Sequence, residues 1–160
     1  MNKLRLSFAL ALYLVVTHTW ASEKLYVAVE GEGKLVVIDT SNRQVIKTID
    51  LAEHQPNGHI SYAPHNVQVA ADGRSVWVTA MAGGHGAASS GHGEHGVAAP
   101  TDQVIVIDPA SDTVTQRIPI AAGMHLAHVA LTPDSRYAYV TAQDDSSVYK
   151  IDARAYRVEK

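Results

Sequence analysis

Short runs in which β-branched and aromatic residues alternate with polar ones recur along the chain, separated by clusters of turn formers. The runs are Leu25 to Glu30, Leu35 to Thr40 and Val45 to Leu51, then Asn66 to Ala70, Ser75 to Ala80, Gln103 to Ile107 and Thr113 to Ile120. Ala127 to Thr132, Tyr137 to Gln143 and Ser147 to Ile151 follow, with a last run opening at Tyr156. Gly31-Glu32-Gly33, Asp72-Gly73, Pro133-Asp134-Ser135 and Asp144-Asp145-Ser146 lie between them. Asp39, Asp108 and Asp152 each open a further turn, where an Asp side chain bonds backbone amides two residues on. Alternation at period two with such punctuation predicts strands joined by tight turns.

The runs fall into three copies of one unit. Tyr26-Val27-Ala28, Trp77-Val78-Thr79-Ala80 and Tyr139-Val140-Thr141-Ala142 occupy the same place in it, and each is followed by a run ending in Ile-Asp: Ile38-Asp39, Ile107-Asp108 and Ile151-Asp152. The aromatic-to-Asp spacing is 13, 31 and 13 residues, so the second copy carries an insertion of 18. Four short strands repeating at roughly 40 to 50 residues are the pattern of a β-propeller blade. The apolar run Gln103 to Ile107 suits a strand covered on both faces, Thr113 to Ile120 an edge strand that tolerates Pro119, and the recurring aromatics should pack between blades. The expected fold is all-β: a propeller of four-stranded antiparallel blades, about two and a half to three of them, in an incomplete ring. The repeats are placed at about 24–54, 64–120 and 124–160, with the insertion at 81–101. The first copy lacks an innermost strand and the sequence stops just as the third copy begins its outer strand, as expected of the N-terminal portion of a longer protein.

The motifs W-V-T-A at Trp77 and Y-V-T-A at Tyr139 resemble the signature of the YVTN family of β-propeller repeat proteins, with Ala where the family name has Asn. Ala71-Asp72-Gly73-Arg74 and Pro133-Asp134-Ser135-Arg136 are similar to the family's Pro-Asp-Gly-Lys turn. The resemblance covers nearly all of Leu25 to Lys160. It implies the fold, and it implies a wide range of functions: surface proteins, metal chaperones, lactonases and haem-bearing domains. Function must therefore be argued from a site.

Composition adds destination and charge. The 160 residues are 46% hydrophobic and 18% charged, with no cysteine, which suits one modest globular unit without disulfides. Lys3 and Arg5 make a basic start, Leu6 to Val16 an apolar run of 11 and Thr19-Trp20-Ala21 a small-residue cleavage site. This is the pattern of a secretory signal peptide, 1–21, cleaved after Ala21. The expected mature chain is periplasmic or extracellular, without a membrane span. It has 11 basic and 16 acidic side chains, a formal net charge of −5. That balance, without a basic stripe, argues against nucleic acid as a partner.

The candidate chemistry is histidine. Met81 to Pro100 holds six Gly, five Ala and three His in twenty residues. Its His92-Gly93-Glu94-His95 can bring two imidazoles to one ion, with His85 as a third donor. The link from the first copy to the second is seven residues longer than the next such link and carries His54, His59 and His65. His65, His125 and His128 open innermost strands near the central channel. A four-stranded meander delivers its blade-to-blade links and its second-to-third-strand links to one face, so all eight histidines of the mature chain are expected there, with Met81 and Met124. Neutral imidazole suits zinc or copper. The predicted metal ligands are therefore His85, His92, Glu94, His95, His65, His125 and His128. There is no Gly-x-Ser-x-Gly elbow, no phosphate-binding loop and no His-Glu-x-x-His, and no catalytic residue is assigned. The leading function is an exported, non-enzymatic metal-binding propeller. The alternatives are a protein-interaction or surface scaffold using the histidine-bearing face, and a fragment of a propeller enzyme of lactonase or d1-haem type.

Overall fold

The computed structural model describes residues 23–56, 58–83 and 100–159. It is all-β. The first sheet is β1 (Lys24–Val29), β2 (Lys34–Asp39) and β3 (Gln44–Asp50), in that order. A two-stranded hairpin follows, β4 (Glu53–Gln55) with β5 (Gly58–Ile60). The second sheet is a meander of β6 (Tyr62–Val69), β7 (Val76–Ala82), β8 (Asp102–Asp108) and β9 (Thr113–Ala121). The third repeats it with β10 (Leu126–Leu131), β11 (Tyr137–Ala142), β12 (Ser147–Asp152) and β13 (Arg157–Glu159). The three sheets are consecutive blades of a partial β-propeller. No helix among the described residues is long and apolar enough to cross a membrane.

The repeated Asp builds the same turn in each blade. The backbone N–H of Arg43 donates to the carbonyl of Asp39 and that of Asp112 to the carbonyl of Asp108, both at 2.8 Å. The Asp carboxylates accept from the amides of Ser41, Ala110 and Arg154 two residues on. Each turn closes on a non-glycine residue in the left-handed region, Arg43 at φ 60°, Asp112 at 51° and Tyr156 at 51°. Amide donors hold the carboxyls of Asp108 and Asp152 below their usual range. Gly33, at φ +65°, ends a 3₁₀ turn over Glu30–Glu32. A Cβ there would stand 3.0 Å from the carbonyl oxygen of Tyr62, so the link between β1 and β2 requires glycine.

The second sheet is buried on both faces, which explains its unbroken apolar runs. Val76, Val78, Ile105 and Ile107 face the first sheet with Leu35, Val37 and Ile49. Trp77, Val104, Val106 and Ile118 face the third with Val129, Ala138, Val140 and Ile151. The repeated aromatic tethers one blade to the next. Tyr26 donates its hydroxyl to Asp112 of the second blade at 2.7 Å, and Trp77 stacks on Tyr156 of the third with ring centres 6.1 Å apart. Tyr139 departs from the expectation that all three pack between blades: it lies on the face of the third sheet turned away from the second and is 41% exposed.

Burial, then the hydrogen bond to Asp112, pushes the Tyr26 hydroxyl well above the usual tyrosine range. A raised folded-state pKa gives stability that is complete below the unfolded value, and this contribution begins to be lost near about pH 10 and goes on falling as pH rises through the folded value. Tyr26→Phe is expected to cost about 1 kcal/mol at neutral pH, since Asp112 loses a donor. The variant should then lose less stability than the parent between about pH 9 and 11. Denaturant unfolding at both pH values checks this.

Candidate metal site

The Thr of each V-T-A motif shapes an innermost strand. The register of β6 against β7 shifts between Pro64 and Asn66, leaving His65 in a bulge, and that of β10 against β11 shifts between Leu126 and Val129, around His128. Thr79 Oγ1 accepts from the Asn66 amide and Thr141 Oγ1 from the His128 amide, each at 3.0 Å. Bulges re-aim side chains, and here the re-aimed residues are the two histidines. The strands are cross-linked as well: Thr79 donates its hydroxyl to the carbonyl of Ala127, and the Asn66 side chain accepts from the amide of Val129.

Asp102 places the third histidine. Buried at 3% exposure, it accepts from the amide of Ala82 with one oxygen and from the amides of Met124 and His125 with the other, at 2.8 to 3.0 Å. One carboxylate thus ties the end of β7, the start of β8 and the link into β10. It also holds together the two flanks of the long insertion. His125 adopts φ 49°, a left-handed conformation that histidine visits more readily than most residues.

The outcome is a histidine triad. The His65 ring lies 6.0 Å centre to centre from His125 and 6.0 Å from His128, at interplanar angles of 84° and 80°. His65 Nδ1 is 3.2 Å from Glu30 Oε1 in the 3₁₀ turn. With Nδ1–H donating to the carboxylate, Nε2 keeps its lone pair, as an imidazole that binds a metal must. A metal–nitrogen bond of about 2.0 to 2.1 Å sets two tetrahedral imidazoles roughly 5 Å apart, centre to centre. The rings stand about 1 Å beyond that, and among the described residues no three donor groups converge as they lie. Binding therefore requires the half-exposed rings to turn inward.

The other predicted ligands divide. His85, His92, Glu94 and His95 lie outside the described residues. His54 and His59 face each other on the hairpin, 6.4 Å apart. The register places the ends of β1, β3, β7, β9 and β11 with the starts of β6, β8 and β10, so His65, His125 and His128 share that end, and the hairpin with His54 and His59 follows the end of β3. Met124 turns to the third blade's core instead, with its sulfur 3.9 Å from the Tyr149 hydroxyl. Glu30 and Asp102 were not among the predicted residues. Glu30 sits in a turn with no histidine near it in sequence, and Asp102 looks like one more strand-opening Asp.

No family model matches the chain, and no curated protein does. Solved structures do. "Dihydro-heme d1 dehydrogenase NirN in complex with DHE" is similar at 19% identity with a TM-score of 0.59, over 84% of this chain and 24% of that one. The periplasmic gluconolactonase PpgL of Pseudomonas aeruginosa is similar at 18% identity and a TM-score of 0.50, over 84% and 34%. A provisional 6-phosphogluconolactonase from Bacteroides fragilis is similar at 15% identity and a TM-score of 0.52, over 79% and 31%. The chain spans about a quarter to a third of the length of these structures, and at such identities the likeness is one of fold: the chain has a β-propeller-like architecture.

Proposed function

We propose that this is an exported, non-catalytic propeller protein that binds a zinc or copper ion at the face carrying its histidines. The observation that carries the reading is that the His125 and His128 rings each stand 6.0 Å from the His65 ring, with Glu30 behind it. Two bulges, a left-handed residue and a buried carboxylate bring these side chains to one place, and three imidazoles form a donor set suited to those ions. His85, His92, Glu94 and His95 belong to a segment whose flanks, Ala82 and Asp102, lie at the same end. They are proposed as further donors that capture the ion before the triad holds it.

A competitive zinc and copper titration of the exported chain tests this. The expected affinity is micromolar or tighter, about 8 kcal/mol. His65→Ala/His125→Gly/His128→Ala should weaken it about a hundredfold or more, while His85→Ala/His92→Ala/His95→Ala should slow loading and lower the stoichiometry. The glycine at 125 keeps the left-handed backbone accessible. If the parent chain binds neither ion, the interaction-scaffold reading takes its place. The enzyme-fragment reading is favoured by the names of the similar structures, a dihydro-heme d1 dehydrogenase and lactonases. A haem absorption band or lactone hydrolysis by the complete protein is its mark.

A further inference from the structure

The hairpin between the first and second blades carries two histidines that the triad does not use. We propose that His54 and His59 form a second, independent site for a divalent transition-metal ion. They are directly opposite one another across β4 and β5, and directly paired residues of an antiparallel ladder have their Cβ atoms about 5 Å apart. Their rings stand 6.4 Å apart, tilted by 49°. Both residues are exposed, and no hydrogen bond among the described residues fixes either ring. Each can therefore turn toward a shared ion without breaking a protein contact. Metal–nitrogen bonds of about 2.0 to 2.1 Å then close a chelate across the two strands.

The surroundings supply charge and shape. His54 and His59 line a cavity of about 250 Å³ with Glu32, Asp50 and Tyr62. One Asp50 oxygen accepts from the Ala52 amide at 2.9 Å, and Glu32 forms an exposed pair with Lys34 at 3.1 Å. The Asp50 carboxylate, with Glu32 in part offset by Lys34, lowers the energy of a cation there, and water completes its coordination. Two imidazoles favour borderline ions over calcium or magnesium, and among borderline ions the general order of affinity puts Cu²⁺ first. Bridging β4 to β5 fixes the link that leads into the His65 strand, with the Glu30–Glu32 turn between the two sites.

The test follows ring resonances in the exported chain, labelled at histidine, as Cu²⁺ is added up to three equivalents. The His54 and His59 signals are expected to broaden together. His59→Gln should then require about tenfold more Cu²⁺ or greater to broaden His54, because the chelate is gone. His65→Ala should leave the pair's response unchanged, so the second site survives even if the triad binds nothing. Sharp His54 and His59 signals at three equivalents, enough to fill the triad and the insertion histidines as well, overturn the proposal. So does unchanged broadening of His54 in His59→Gln, and loss of the pair's response in His65→Ala makes the two sites one.

Discussion

Asp102→Ala is expected to lower the unfolding free energy by about 3 to 5 kcal/mol. The carboxylate is 3% exposed and accepts three backbone N–H bonds, from Ala82, Met124 and His125. Alanine leaves those donors without their partner, and a hydrogen bond to a charged acceptor contributes about 1.5 to 3 kcal/mol. Asp102→Asn keeps one acceptor oxygen but turns an NH₂ group toward backbone donors, so an intermediate loss is expected. Urea unfolding of the three proteins checks the order, with an unchanged slope showing that stability alone has changed. A loss below about 1 kcal/mol for the alanine variant would mean that Asp102 does not organise this region. Because Asp102 also sets the His125 backbone, Asp102→Asn should weaken metal binding while the fold persists.

Trp77→Ala should cost about 3 to 5 kcal/mol, as truncating a large buried aromatic does. Trp77 is completely buried, packs with Val104, Val106 and Val140 and stacks on Tyr156 at the seam between the second and third blades. Its indole N–H donates to Ser75 Oγ at 2.9 Å, a bond that is also lost. Tyr139 holds the same place in the next copy but is 41% exposed, and Tyr139→Ala should change stability by no more than about 0.5 kcal/mol. Thermal or denaturant unfolding of the two variants side by side checks the contrast. Equal effects would contradict the assignment of the aromatic position to the seam with the following blade.

The strands were legible because their signals are local. Alternation and Asp-led turns marked nearly every strand to within a few residues, and the repeat of W-V-T-A with Y-V-T-A announced blades. The hairpin Glu53–Ile60 was not foreseen: its strands, Glu-His-Gln and Gly-His-Ile, are three residues each, too short to show an alternating apolar face. β6 begins at Tyr62, earlier than expected, because Pro64 breaks the apolar pattern while its neighbours Tyr62 and Ala63 are buried. At the site, the gathering of His65, His125 and His128 followed from topology, since they open neighbouring innermost strands. What sequence could not supply was the set of residues that fix them. Thr79 and Thr141 read as motif residues, yet they bond the amides at the bulges. Glu30 meets His65 only across a separation of 35 residues.

Whether the triad holds a metal ion is read most directly by X-ray absorption of the Zn²⁺-loaded chain in a background of His54→Ala, His59→Ala, His85→Ala, His92→Ala and His95→Ala, which removes the competing imidazoles. Three imidazole nitrogens at about 2.0 to 2.1 Å from the ion are expected, reduced to two in His128→Ala. An ion with one imidazole or none, surrounded by oxygen, would contradict it.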